Sequence, residues 1–266
     1  MLDFWKAKSV KPTPLVIYIH GGGFRGGSKE ELSVKAAGNL SVLDAFRRLL
    51  DAGISVAAVE YRLVPKHPLP AAHEDARRAI QFLRSRAREW NIDKTKVAAF
   101  GGSAGAQLCM YLAFHDDMAD PASRDPVRRE STRLAFVATS GGQTTRDVGW
   151  WIQNLPGYTE AHRPEQEFFG SADPDKIRSI VADISALSLI SADDPPIYMT
   201  YNMRPDDPPP ADPNRVEGWR VHHVNFGIAL KKKMDALGVE VNLKYPGVKS
   251  IYESAPDFFL AKFGRK

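Results

Sequence analysis

The chain of 266 residues is 43% hydrophobic and 26% charged, which is ordinary for a globular protein with its own core, and its length fits a single domain over residues 1–266. The formal net charge of +4 is dispersed along the chain, which argues against nucleic acid as a partner, and no apolar run is long enough to span a bilayer. The single cysteine, Cys109, excludes an internal disulfide and a metal site built from thiolates.

The first residues, MLDFWKAKSVKP, lack the apolar core of a signal peptide. We therefore expect a cytoplasmic protein. A secreted or periplasmic location would require a segment ahead of Met1 that is later removed.

Apolar runs and amphipathic stretches alternate along the chain. The apolar runs predict buried strands at 15–19, 54–61, 96–100, 134–140 and 196–201, and the alternating VEVNLKY predicts a half-exposed edge strand at 239–245. Helices are predicted at 76–90, from the turn after residue 102 to about 114, at 223–236, and from Pro256 onward. This alternation predicts an α/β fold with a mostly parallel, doubly wound sheet and helices on both faces.

Two segments interrupt the alternation. Residues 141–192 are long and rich in aromatic side chains, and we expect an insertion between two strands that forms a lid or cap. Residues 203–222 contain five prolines, which predict a long, stiff loop. Long ordered loops in compact domains are usually functional.

The sequence GGSAG at 101–105 places Ser103 between a predicted strand and a predicted helix. It matches the pattern G-x-S-x-G, in which the glycines let the backbone turn sharply enough to lift the serine hydroxyl above the sheet edge. The helix that follows directs its positive end at the same place, which favours a developing negative charge. Taken alone, the motif fits equally well a glycine-rich turn that binds nothing. Other motifs of the chain must therefore decide whether Ser103 is a nucleophile.

A second glycine-rich motif, His20-Gly21-Gly22-Gly23, follows the strand predicted at 15–19. Three glycines let a backbone approach a substrate with no side chain in the way. The N–H groups of Gly22 and Gly23, joined by that of Ala104, could therefore surround a tetrahedral oxyanion. Loss of one such donor typically costs about 3 kcal/mol of transition-state stabilisation.

With these motifs the sequence resembles the α/β-hydrolase fold, in particular the hormone-sensitive-lipase-like esterases and related carboxylesterases. It also carries YRLVPKHPLPAAHEDA at 61–76 and SADDPPIYMTY at 191–201, and the resemblance covers roughly residues 2–245. The family's second strand resembles MLDFWKAK, so the strands that precede it in the family are either missing here or lie outside this chain.

The resemblance implies a lipase-like serine hydrolase that cleaves carboxylic esters, short-chain or aryl, through an acyl-enzyme on Ser103. It implies no metal and no cofactor, a small-molecule ester as partner, and an oxyanion hole formed by Gly22, Gly23 and Ala104. The protein could be a monomer or a homo-oligomer.

The chain departs from the family at the catalytic histidine, which the family places after the last strand, where this sequence has Ser250. No histidine follows position 223. Three alternatives stay open: a base relocated to His223, or to its neighbour His222; Lys249 as the base; or a catalytically impaired protein that binds esters or acts as a scaffold. Either histidine could also simply cap the predicted helix.

The catalytic aspartate of the family is also not at its usual position in this sequence. The resemblance places it a few residues after the strand at 196–201, at a position that falls on Pro205, so we favour the adjacent Asp206 and then Asp207, with Asp212 behind. In the insertion, Trp150 and Trp151 could line a substrate pocket, although aromatic residues there also serve as core packing.

Overall fold

The computed structural model describes residues 1–32, 40–161 and 163–265, with the backbone alone described over residues 40–45. The strands are β1 (Leu2–Trp5), β2 (Thr13–Ile19), β3 (Ser55–Val59), β4 (Ile92–Gly102), β5 (Val137–Ser140), β6 (Ile197–Thr200) and β7 (Val241–Lys244). The helices are α1 (Leu40–Asp51), α2 (Ala71–Ser85), α3 (Ala87–Trp90), α4 (Ala104–Phe114), α5 (Val148–Asn154), α6 (Glu165–Phe169), α7 (Pro174–Ile184), α8 (Ala186–Leu189), α9 (Pro213–Val221), α10 (Asn225–Leu237) and α11 (Ala255–Lys262).

The strands form one sheet in the order β1-β3-β2-β4-β5-β6-β7. Only the pairing of β1 with β3 is antiparallel; the other neighbours run parallel. In a parallel sheet the carboxyl ends of the strands meet at one edge, and ligands bind there. The turns after β2 and β4, which carry the two glycine-rich motifs, therefore lie side by side.

Apolar side chains fill both faces of the sheet. Along β2, Ile17 and Ile19 point into a core that α2, α4 and α10 cover, whereas Val16 and Tyr18 point into a second core that α1 and α11 cover. This alternation follows from the period of two residues in a strand. The prediction of a mostly parallel sheet with helices on both faces is confirmed.

The prediction of a long, stiff loop over 203–222 is wrong for its second half, because α9 occupies Pro213–Val221. The Asp212 carboxylate caps this helix by accepting from the N–H of Asn214 at 3.0 Å, and Pro213 stands in its first turn. Proline is favoured at that position because its missing N–H has no acceptor within the helix. The helix turns this segment into a rigid support at the sheet edge.

The segment 141–192 lies between β5 and β6 and contains α5 to α8. None of the helices in the described ranges combines the length and the apolar character needed to cross a membrane.

Candidate active site

Ser103 lies on a sharp turn between β4 and α4, with a φ of 51°. Its N–H donates to the carbonyl oxygen of Ser140 at 2.9 Å, which fixes the turn against the end of β5. A Cβ on Gly105 would come within 2.1 Å of the carbonyl oxygen of Ile19, and one on Gly101 within 2.8 Å of the same atom. Both positions therefore require glycine, because the turn packs directly on the end of β2.

The imidazole of His222 lies against the Ser103 hydroxyl, with 2.9 Å between Nε2 and Oγ. Its other nitrogen, Nδ1, is 2.7 Å from the carbonyl oxygen of Gly218. A carbonyl can only accept, so Nδ1 carries the proton and donates it to Gly218. Nε2 is then left with its lone pair facing the hydroxyl, as a base requires.

Burial lowers the pKa of His222 below its ordinary value of 6.5, and the hydrogen bond to Gly218 offsets part of this effect. At neutral pH the ring is therefore uncharged. An uncharged imidazole is the form that can take a proton from Ser103.

His223, which the sequence favoured as the base, does not reach Ser103. It is fully buried, its Nδ1 accepts from the N–H of Asn225 at 3.2 Å, and its ring meets Trp219 edge-on with centroids 4.9 Å apart. Consecutive residues at a helix end point about 100° apart, so only one of the two histidines can face the serine. The structure brings His222, the second choice, to that position.

The favoured acids, Asp206 and Asp207, lie away from His222. Asp206 is exposed, and the Asp207 carboxylate accepts from the N–H of Arg204 at 2.7 Å. Asp212 is engaged in capping α9. Among the described residues no carboxylate contacts His222, and the Gly218 carbonyl takes the place of the acid.

The glycine loop after β2 lies next to the serine. A Cβ on Gly21 would be 3.7 Å from the Cβ of Ser103. Gly22 has a φ of 101°, and a Cβ on it would come within 2.1 Å of the Gly26 carbonyl oxygen, so the loop closes on itself too tightly for a side chain. The Tyr61 hydroxyl holds the loop from below, at 2.9 Å from the Gly21 carbonyl oxygen.

The expected oxyanion donors are free in this arrangement. Within residues 1–32, 40–161 and 163–265, no group accepts a hydrogen bond from the N–H of Gly22 or Gly23. The N–H of Ala104 opens α4 and has no acceptor inside the helix. These donors are available to an oxygen that develops negative charge.

A pocket of about 790 Å³ opens beside Ser103 and His222. Much of its wall is polar and comes from the strand ends, the loop after β6 and the start of α11: Thr139, Ser140, Thr200, Asn202 and Ser254. Tyr201, Met203 and Pro256 add apolar surface. The pocket can hold a substrate with both polar and apolar parts.

Trp150 and Trp151, expected to line this pocket, lie elsewhere. Both pack on Phe226 of α10, with ring centroids 5.2 Å apart in each case. Asp147 caps α5 by accepting from the N–H of Gly149, and this cap sets the direction of the helix that carries both tryptophans. Their role here is packing between the insertion and α10.

The remaining candidates lie outside the site. Lys249 is exposed, and within the described chain it has no contact with Ser103. His73 is buried between Phe24 and Tyr111, and His115 lies 3.3 Å from the Asp183 carboxylate. His162 lies outside the described residues. No group of three or more His, Cys, Asp or Glu side chains in the described ranges is placed to hold a metal ion.

Gln143 is a site residue that the sequence did not indicate. Its side-chain N–H donates to the carbonyl oxygen of Val221, directly before His222, and its oxygen accepts from the Gln107 side chain on α4. It therefore ties the helix behind the nucleophile to the end of the helix that carries the histidine. Its position just past the carboxyl end of β5 is the one feature that could have pointed to it.

A serine on a strained strand-to-helix turn, facing a histidine and a glycine loop above a sheet of this order, defines the protein as an α/β-hydrolase. Residues 2–206 match the BD-FAE family. The chain belongs to this family, which is a carboxylesterase-like family of α/β-hydrolases.

Individual relatives have consistent names. Over 182 residues the chain is 34% identical to the probable carboxylesterase 6 of Arabidopsis thaliana. The matched region covers 59% of this chain and 50% of the relative. The chain thus spans about half the length of this curated relative. It is 36% identical over 96 residues to an arylesterase of Saccharolobus solfataricus, covering 35% of this chain and 28% of the relative.

The fold is shared with a solved acetyl ester-xyloside bifunctional hydrolase from Caldicellulosiruptor lactoaceticus. The TM-score is 0.69 at 22% identity, over 92% of this chain and 76% of that chain.

Proposed function

We propose that this protein is a serine esterase that cleaves carboxylic esters, short-chain or aryl, through an acyl-enzyme on Ser103. The observation that carries the proposal is the 2.9 Å contact between Ser103 Oγ and His222 Nε2, next to unpaired glycine N–H groups. Relatives named carboxylesterase and arylesterase support the same substrate class.

In the first step, Ser103 Oγ attacks the ester carbonyl carbon while its proton passes to His222 Nε2. The carbonyl oxygen becomes an oxyanion, which accepts hydrogen bonds from the N–H groups of Gly22, Gly23 and Ala104. His222 then returns the proton to the departing alcohol, and the acyl group remains on Ser103.

In the second step, water attacks the acyl-enzyme. His222 Nε2 takes a proton from the water, and the same N–H groups hold the second oxyanion. Collapse of this intermediate releases the carboxylic acid and returns the proton to Ser103. The protein's own side chains and backbone suffice for the whole cycle.

The Gly218 carbonyl has the role that a carboxylate has in a serine triad. It keeps the His222 proton on Nδ1, and it faces the imidazolium with the negative end of a dipole. A dipole stabilises a cation less than a full charge does, so we expect a lower turnover number than a complete triad would give.

The segment 141–192 is proposed as a cap. Its Arg163 guanidinium donates to the carbonyl oxygen of Gly23 at 3.4 Å, so the segment touches the loop that would hold the oxyanion. That contact supports a cap that steadies the glycine loop.

A fluorophosphonate probe tests the function directly, because only an activated serine reacts with it rapidly. We expect fast labelling of the wild type at neutral pH, none of Ser103→Ala, and hydrolysis of p-nitrophenyl acetate by the wild type alone. A folded wild type that neither labels nor hydrolyses would contradict the proposal and favour a hydrolase-fold protein that only binds.

A further inference from the structure

The turn after β5 contacts both partners of the proposed proton transfer. The carbonyl oxygen of Ser140 accepts from the N–H of Ser103 at 2.9 Å. Gly141 lies against the imidazole of His222, because a Cβ on Gly141 would be 3.3 Å from the ring carbon Cδ2. A single short stretch of backbone therefore touches the nucleophile and the base.

This turn is itself anchored to the end of β6. The N–H of Gly141 donates to the carbonyl oxygen of Thr200 at 2.9 Å. The hydroxyl of Tyr201, a buried residue, donates to the carbonyl oxygen of Gly142 at 2.6 Å. The turn therefore gives a fixed base to the next side chain, that of Gln143.

The side-chain amide of Gln143 joins the backbone that carries His222 to the backbone against which its ring packs. Its N–H groups donate to the carbonyl oxygen of Val221, directly before His222, and to that of Gly141 at 3.3 Å. Carbonyls only accept, so the amide nitrogen must face them and the amide oxygen must face away. That oxygen accepts from the side-chain N–H of Gln107.

Gln107 extends the connection to the nucleophile. Its backbone N–H donates to the carbonyl oxygen of Ser103 at 3.2 Å, in the first turn of α4. The two glutamines are only 4% and 5% exposed, for Gln107 and Gln143 respectively. Water cannot readily replace a bond lost at such a depth, so the hydrogen bonds of the two amides hold one another in place.

We propose that Gln143 is a positioning residue that holds the imidazole of His222 towards the Ser103 hydroxyl. In a complete triad, a carboxylate both orients the histidine and stabilises its positive form. Here the Gly218 carbonyl bonds to the ring, and the Gln143 amide fixes the chain that carries the ring. A neutral amide adds no charge, so it acts through position alone. Its effect on rate rests on the proposed esterase function, whereas its effect on the ring does not.

Gln143→Met tests the effect on rate, because methionine has a similar length and no N–H group. We expect kcat for p-nitrophenyl acetate to fall by about tenfold to a hundredfold, the effect of a displacement of roughly 1 Å at a reacting group. KM should stay close to that of the wild type, since Gln143 is not among the described residues that line the pocket beside Ser103.

Gln81→Met is the matched control. Gln81 is equally buried, and its amide also donates to two backbone carbonyls, those of Arg128 at 3.1 Å and Glu130 at 3.0 Å. The variant therefore loses the same kind of bonds away from the site, and its kcat should match that of the wild type. An equal loss of kcat in both variants, or no loss in Gln143→Met, would overturn the proposal.

The Nδ1 proton of His222 gives a measurement that does not depend on turnover. Held against the Gly218 carbonyl, this proton should exchange slowly with water and give its own signal in a ¹H–¹⁵N spectrum of the imidazole groups, which His222→Ala identifies by its loss. The signal should persist in Gln81→Met and broaden or vanish in Gln143→Met. Its absence from the wild type, or its persistence in Gln143→Met, would overturn the proposal. A wild type that shows the expected signals and hydrolyses no ester would contradict the esterase function and support the positioning role.

If Gln143→Met fails to fold, Gln107→Met provides the second measurement. It removes the donor to the Gln143 oxygen and leaves the bonds to the backbone carbonyls possible. The Nδ1 signal and kcat should therefore both decrease, by less than Gln143→Met would cause. An unchanged signal with an unchanged kcat in Gln107→Met would overturn the proposal.

Discussion

The Nδ1–H of His222 donates to the backbone carbonyl oxygen of Gly218, 2.7 Å away, while its Nε2 faces Ser103. The two residues are about one helical turn apart, with Gly218 in the last turn of α9 and His222 directly after it, and a carbonyl in the last turn has no partner within the helix. The proposed base and the group that orients it therefore lie together at the carboxyl end of α9.

Replacing His222 tests its assignment as the base. We expect His222→Ala to lower kcat for p-nitrophenyl acetate by at least about a thousandfold, because the hydroxyl loses its proton acceptor. His223→Asn is the matched control, since its amide oxygen can still accept from the N–H of Asn225, and kcat should stay close to that of the wild type. If His223→Asn is the inactive variant of the two, the assignment is wrong.

The pH dependence follows from the lowered pKa of His222. Protonation blocks the base, and burial moves that protonation to a pH below the ordinary 6.5. The midpoint of the acidic limb of kcat/KM should therefore lie below pH 6.5. A midpoint above pH 6.5 would show that the ring is not desolvated as the structure implies.

A carboxylate can be introduced at residue 218, whose backbone carbonyl orients His222. A Cβ on Gly218 meets no atom within 4 Å, and residues 218 and 222 lie on the same face of α9. Gly218→Asp should raise the pKa of His222 and move the acidic limb of kcat/KM upward by roughly one pH unit, relative to Gly218→Ala. If the acidic limbs of kcat/KM coincide in the two variants, the introduced carboxylate does not reach the His222 ring.

The glycine loop gives a paired test of the oxyanion hole. Gly22→Ala places a methyl group where the Gly26 carbonyl oxygen lies and strains a φ of 101°, so the loop must shift. We expect kcat to fall by about a hundredfold to a thousandfold. A Cβ on Gly26 meets no atom within 4 Å, so Gly26→Ala should remain active. Equal kcat values would exclude this loop as the donor.

Neither favoured aspartate should matter for the proton transfer. Asp206→Asn and Asp207→Asn are expected to change kcat by less than roughly threefold, under 1 kcal/mol of barrier height. The measurement is kcat at saturating p-nitrophenyl acetate. A large loss in either variant would restore an acid to the site and contradict the role given to Gly218.

The parts of the site that local sequence determines were predictable. A turn that must carry a hydroxyl above a sheet needs glycine on both sides of Ser103, and a loop that approaches a substrate needs the glycines that follow His20. Both requirements appear as motifs, and so does the alternation of buried strands with helices. The role of Gly22, Gly23 and Ala104 as oxyanion donors stays a prediction.

The sequence could not decide between His222 and His223, because the choice depends on the direction of α9. The start of α9 was indicated by the pair Asp212-Pro213, a capping residue followed by a first-turn proline, but the surrounding prolines favoured a loop. No sequence pattern could indicate that His222 bonds to the Gly218 carbonyl, since every residue has a carbonyl oxygen. Trp150 and Trp151 were misplaced because packing and pocket lining use the same residue types.

The proposed base, His222, directly follows α9, so on the proposed mechanism the residues after β7 take no part in moving protons. The Ser254, Ala255 and Pro256 turn instead forms one wall of the pocket. Variation there can change which alcohol or acyl group is accepted while the reaction itself continues. On the proposed mechanism, the sequence of this wall can therefore change without altering the groups that move the proton.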